Sequence, residues 1–240
     1  MRTVFKITGA DRLKFLHGLV SNDVPEQGLG YAALLSPQGK YLADFFQWQE
    51  ADAIYVDVAT DLAADLGRRL TMYKLRSDVA IADSGLQVFR GTGAAPDGAM
   101  TDPRDTGLGW RLYGTQQGDD GTDWDALRVA HVVPESGVEL AVGDSYILEM
   151  GFERLHGVDF RKGCFVGQEI VARMKHKTEL KKGLVQVTVS QNVPVGTPIT
   201  TQGKPAGTLF TQSGGKGLAY LRFDRATGPM QAEDAEVAAV

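Results

Sequence analysis

Apolar positions along the first third of the chain switch between two periods. Thr8-Gly9-Ala10-Asp11 has capping-box spacing, and Leu13, Leu16, Leu19 and Val20 then recur at helical intervals until Ser21-Asn22-Asp23 interrupts them. The period next falls toward two. Tyr31 to Leu35 predicts a strand, Ser36-Pro37-Gln38-Gly39 fits a type I turn with Pro second and Gly fourth, and Tyr41 to Trp48 predicts the returning strand. Ile54, Val56 and Val58 alternate as another strand. Thr60-Asp61 predicts the cap of a helix whose Leu62, Leu66, Leu70 and Tyr73 share one face.

Beyond this the elements shorten. Val79 with Ile81, Leu86 to Arg90, and Trp110 to Tyr113 predict strands, and the Gly-, Pro- and Asp-rich stretch 91–107 predicts a loop. Asp123 to Val129 predicts a third helix, stopped before Pro134. Hairpins mixed with isolated helices imply an α+β fold with antiparallel sheets rather than a βαβ alternation. After Lys182 the pattern changes again: Gly183 to Ser190, Thr208 to Gln212 and Leu218 to Phe223 read as strands separated by Gly-rich turns. Residues 183–240 therefore predict a small C-terminal β-barrel or sandwich, with 231–240 as a terminal strand or frayed tail, and residues 1–182 form the larger α+β region.

Composition narrows the function. The net charge of -5 disfavours a nucleic-acid or membrane-surface partner, which would call for a basic surface. A single cysteine, Cys164, excludes an internal disulfide and paired CxxC metal motifs. The N-terminal residues Met1 to Lys6 lack the apolar run of a secretory signal, and no segment reaches the roughly 20 apolar residues of a membrane span, so a reducing cytoplasm is the simplest expectation. Gly91-Thr92-Gly93 leads into Pro96 rather than a helix, which argues against a dinucleotide fold. The four histidines are scattered, so no metal site is expected.

The segment from Arg161 to Lys182 stands out. It carries seven cations against two acids, Glu169 and Glu179, in an acidic chain, and these cations flank Cys164 and the glycines Gly163 and Gly167. Gln168 to Arg173 reads as a helix start, so the thiol precedes a helix N-terminus, and an accessible, reactive thiol is expected. One thiolate cannot hold an iron–sulfur cluster, which takes about four ligands, so any cluster would be shared with a partner.

Here a resemblance becomes specific. Lys162-Gly163-Cys164-Phe165-Val166-Gly167-Gln168-Glu169 resembles the Lys-Gly-Cys-aromatic-x-Gly-Gln-Glu signature of the YgfZ family, folate-binding proteins with a mitochondrial relative that matures iron–sulfur enzymes. Phe15 to Val24, Leu35 to Phe45, Tyr73 to Arg76 and Leu127 to Val129 resemble further blocks. Gly203 to Arg222 is similar to the terminal barrel of the related glycine-cleavage T-protein, an aminomethyltransferase. The resemblance implies T-protein-like lobes around a channel for tetrahydrofolate and a small C-terminal barrel. It also implies an accessory role in iron–sulfur cluster assembly or repair, with an iron–sulfur carrier or client as partner. Arg128, Lys162 and Arg173 are then candidates to bind the folate carboxylates, and Asp44 matches the aspartate that T-proteins place near the reactive nitrogens. Asp44 and Cys164 are the candidates for chemistry. The T-protein's Gly-Tyr-Thr-Gly-Glu run has no counterpart, Gly107 to Arg111 standing in its region, and Ala130 stands where relatives carry an acid. A folate-dependent aminomethyl or one-carbon transferase is therefore the second reading, and a tRNA-modification factor the third.

Overall fold

The computed structural model describes residues 1–177 and 179–240; Thr178 and the side chain of Lys177, both within the cationic segment, lie outside the described residues. The first lobe runs β1 (Arg2–Thr8), α1 (Arg12–His17), β2 (Gly30–Leu35), β3 (Tyr41–Glu50), β4 (Ala53–Ala59), α2 (Thr60–Lys74) and β5 (Ala80–Asp83). Its strands form one antiparallel sheet in the order β2-β3-β4-β1-β5.

Both faces of this sheet are covered, which is why Tyr41 to Trp48 is buried throughout instead of alternating with solvent. Alternate residues of β2 serve different cores. Ala32 and Leu34 pack with Leu16 of α1 and Leu66 and Leu70 of α2, whereas Tyr31, Ala33 and Leu35 pack with Leu140, Ile147, Phe152 and Leu155. At roughly 25 cal/mol per Å² of apolar area removed from water, this double-sided burial is the main stabilisation of the lobe.

The second lobe contains β6 (Gln87–Gly91), β7 (Met100–Thr101), a 3-10 turn (Thr106–Leu108), β8 (Trp110–Gly114), β9 (Gly118–Asp119) and α3 (Trp124–His131). The sheet order is β7-β8-β6-β9, with only β6 and β9 parallel. A turn-rich stretch then leads to α4 (Gln168–Lys177). The last lobe is β10 (Lys182–Val189), β11 (Thr197–Thr201), β12 (Lys204–Ser213), β13 (Lys216–Arg222), β14 (Met230–Ala232) and β15 (Ala235–Ala239), closed as a six-stranded barrel. Closure removes the sheet edges that a small isolated sheet would expose.

Local sequence patterns and the folded chain differ at several points. Neither Thr8-Asp11 nor Thr60-Asp61 caps a helix. Thr8 ends β1, and Asp11 instead accepts a hydrogen bond from the Asp78 amide at 2.8 Å. The first N–H of α2 is met by the carbonyl of Met1 at 3.1 Å, so no side-chain cap forms. Leu13 is exposed, while Leu16, Leu19 and Val20 are buried. The stretch 91–107 is not wholly loop, since β7 pairs with β8 there, and 231–240 contributes to two barrel strands.

Candidate functional site

Strand parity builds the site. On the face of the first sheet turned toward the second lobe, β1 presents Arg2 and Val4, β3 presents Asp44, Phe46 and Trp48, and β4 presents Tyr55 and Asp57. A hollow of about 280 Å³ lies between this face, Val88 and Arg90 of β6, Arg111 of β8, Trp124 and Arg128 of α3, and the segment 134–136. Its lining carries five guanidiniums (Arg2, Arg90, Arg104, Arg111 and Arg128) against three carboxylates, Asp44, Asp119 and Glu135.

Buried carboxylates hold most of these cations in place. Asp57 receives Arg2 Nε at 2.6 Å and the Tyr113 hydroxyl at 2.9 Å, with Arg111 Nη1 at 3.5 Å. Asp102 receives the Arg104 fork at 3.0 and 2.8 Å and Arg111 Nε at 3.4 Å. The Phe46 ring lies below Arg111 at 3.8 Å and Arg104 at 4.8 Å, so cation–π attraction adds to the pairing. Burial opposes ionisation of Asp102, but the charge and hydrogen bonds of Arg104 overcome it and hold the carboxyl below its ordinary value.

Asp44 is buried beneath three hydroxyls. Tyr31 donates to Oδ2 at 2.9 Å, and Tyr41 (2.6 Å) and Ser136 donate to Oδ1. Burial, then the neighbouring Asp44 charge, push the pKa values of Tyr31 and Tyr41 upward, so both phenols remain donors. A carboxylate offers about four lone-pair sites, and three are used, which leaves acceptor capacity for one N–H donor of a ligand.

The remaining sequence candidates are dispersed. Arg128 borders the hollow, but its donors go to Glu139 (2.9 Å), Thr211 (2.7 Å), Asp125 (3.1 Å) and the Val133 carbonyl (3.1 Å), tying α3 to the barrel. Lys162 is not in the lining: its enclosed Nζ donates to the carbonyls of His17 and Val20 at 2.8 and 2.6 Å and lies 3.4 Å from Asp23. Burial lowers its pKa, against the raising effect of Asp23, and its position satisfies carbonyls left open at the end of α1. Arg173 is an exposed residue of α4, also outside the lining. Asn22 donates to the Tyr31 and His156 carbonyls at 3.1 and 2.8 Å.

Cys164 is exposed and is not part of the hollow's lining. Its turn is fixed on both sides. A Cβ built on Gly163 would fall 2.8 Å from His17 Nε2, and one built on Gly167 (φ +84°) would fall 2.6 Å from the Ser36 carbonyl oxygen. Among the described residues no three His, Cys, Asp or Glu side chains converge as a metal site.

Arg2, Arg90, Arg104 and Arg111 escaped the sequence reading. The signal for Arg2 was parity with Val4 on a strand. Arg104 sits in an irregular segment and offered none.

The arrangement of lobes and closed terminal barrel is a fold shared with an aminomethyltransferase of the glycine cleavage system. The chain superposes on the crystal structure of glycine cleavage system aminomethyltransferase T from Bartonella henselae with a TM-score of 0.78, over 99% of this chain and 82% of that one, at 10% identity. Residues 181–240 match the family model described as CAF17, C-terminal beta-barrel domain. At the level of sequence, the chain is 27% identical to the Mus musculus iron–sulfur cluster assembly factor IBA57, mitochondrial, across 98% of this chain and 79% of the relative. The Homo sapiens protein of the same name is 26% identical across 100% and 80%. These relatives bear the IBA57 name, not YgfZ, and are named as mitochondrial, which does not match a plain cytoplasmic expectation. Among the described residues no helix is long and apolar enough to cross a membrane.

Proposed function

We propose that the chain is an accessory protein of iron–sulfur cluster assembly or repair, that it binds a tetrahydrofolate-type ligand in the arginine-lined hollow, and that it meets an iron–sulfur carrier or client through Cys164. The observation that carries the reading is the division of the molecule into a sequestered cationic hollow and an exposed thiol outside it. The names of the mouse and human relatives, aligned over nearly the whole chain, support the same assignment.

The residues present suit the ligand class. Asp44 has room for a ring N–H, and guanidiniums match the carboxylates of a folate side chain in geometry and charge. A bound folate would supply its capacity to carry a one-carbon unit; the protein's part is to orient the ring at Asp44 and to exclude water. Cys164 would provide one sulfur ligand, with the partner providing the others. An unpaired exposed thiol suits a reducing compartment, the cytoplasm where a cell has no mitochondria.

The test is genetic and spectroscopic. In a strain lacking the gene, Cys164→Ser is expected to leave iron–sulfur enzyme activities as low as the deletion does, while the purified variant folds and binds folate normally. Full restoration by Cys164→Ser would remove the thiol from the account. A second reading, a folate-dependent aminomethyl or one-carbon transferase, draws on Asp44 lying inside a hollow of this fold. Asp44→Asn separates the two: it keeps a carbonyl acceptor for the ring N–H, so folate binding and cluster-enzyme activities should be largely retained, whereas a transferase that needs the carboxylate would be abolished.

A further inference from the structure

Four of the five guanidiniums in the hollow are held by carboxylates: Arg2 and Arg111 by Asp57, Arg104 by Asp102, and Arg128 by Glu139. Arg90 is different. Among the described residues its guanidinium has neither a hydrogen bond nor an ion pair, and it stacks on the Trp124 ring with its central carbon 3.8 Å from the centroid. Burial first, and then the repulsion of Arg111, bring its pKa down to about 10, with Glu135 and Asp119 opposing from beyond ion-pair distance. It is therefore a cation at neutral pH whose charge is largely uncompensated.

Two further donors on lining residues lack an acceptor. Trp124 Nε1 is buried without a hydrogen bond, and so is Arg128 Nε, which lies 3.0 Å from Glu135 Oε2 but out of line with it. A half-buried cation without an ion pair is costly in the empty protein, and an anionic acceptor relieves that cost. At about 280 Å³ the hollow lies at the lower end of the range for pockets that enclose a drug-sized molecule, about 300–1,000 Å³. Asp44 and Arg90 both line it, so a ligand whose ring is seated at Asp44 can run its substituent along the lining toward Arg90.

We propose that Arg90 and Trp124 form an anion subsite that takes a carboxylate from the side chain of the ligand and makes the protein select a ring with an anionic tail over the bare ring. The identity of that ring rests on the proposed folate site; the anion chemistry does not. Arg90 supplies a planar fork and charge, and the Trp124 ring beneath it holds that fork flat.

Titration calorimetry on the full chain tests this with three probes: tetrahydrofolate triglutamate, p-aminobenzoylglutamate (tail only) and tetrahydropterin (ring only). Wild type is compared with Arg90→Gln and Arg90→Lys, each checked for an unchanged melting temperature. Loss of a hydrogen bond to a charged group predicts that Arg90→Gln binds both tail-bearing probes about 10- to 100-fold more weakly. Tetrahydropterin binding is expected to stay within about twofold, because Arg90 would not touch the ring, and Arg90→Lys is expected to recover part of the loss. Equal weakening of all three probes, or unchanged binding of the tailed ones, would overturn the subsite. So would a wild type that binds neither tailed probe. If wild type binds p-aminobenzoylglutamate through Arg90 but ignores tetrahydropterin, the subsite stands and the folate reading falls.

Discussion

Asp44 carries two demands at once. It must accept from Tyr31, Tyr41 and Ser136 inside the protein and still offer an oxygen to the hollow. Asp44→Ala would strand these donors, and about 2–4 kcal/mol of stability is expected to be lost in urea unfolding. Asp44→Asn keeps one carbonyl acceptor, so a smaller loss is expected. Asp102 makes a different prediction. Its carboxyl ionises more readily in the folded chain than in the unfolded one, so its contribution is full above the unfolded carboxylate value of about 4 and is lost as pH falls through the folded value. Wild type should therefore lose stability faster than Asp102→Asn between about pH 5 and pH 3; equal slopes would show that the Arg104 pair is not the source. At this scale the sequence was partly legible. Asp44 lay within a block resembling a known family, but Arg90, Arg104 and Arg111 were surface-type residues by composition. Only the pairing of Arg104 with Asp102, and of Arg111 with Asp102 and with Asp57 54 residues away, makes the burial of those two tolerable.

The element that presents Cys164 is a turn locked by two glycines. Gly167 has φ +84°, and any Cβ there meets the Ser36 carbonyl; Gly39, opposite, has φ +73° and packs on Ile170. A Gly167→Ala change adds left-handed strain of about 1–2 kcal/mol and a backbone clash on top of it. A total loss above about 2 kcal/mol is expected in chemical denaturation, with faster hydrogen exchange across the 160–170 turn. A neutral outcome would mean that the turn is not held as described. The β2–β3 hairpin, α2, α3 and the start of α4 were legible because period, turn chemistry and stop signals agreed. The caps expected at Thr8-Asp11 and Thr60-Asp61 were not, because the amides of Asp11 and Thr60 donate to the carbonyls of distant residues, Asp78 and Met1. Strand β11 escaped because Pro198 and four threonines or isoleucines gave it no clear apolar face.

Across the whole molecule, one buried knot ties the barrel to the rest. Arg128 of α3, Glu139 and Thr211 of β12 share hydrogen bonds at 2.9, 2.7 and 2.6 Å. Arg128→Ala leaves Glu139 buried and unpaired, for which about 3–5 kcal/mol is expected. Unfolding should then split into two transitions as the barrel uncouples; a single transition at the wild-type midpoint would contradict the role. Adding Glu139→Gln should recover part of the loss. The barrel itself could be read from Gly-rich turns between alternating runs. The hollow could not, since it arises where β1, β3, β6, β8 and α3 meet, and no local pattern records that meeting.

In the proposed function the arginine-lined hollow is a folate site independent of the thiol. Titration calorimetry of the purified protein with tetrahydrofolate tests this directly, using wild type, Arg111→Met and Cys164→Ser. One ligand per chain is expected for wild type and for Cys164→Ser, with binding weakened about tenfold or more in Arg111→Met. No heat of binding in the wild type, or loss of binding in Cys164→Ser alone, would contradict it.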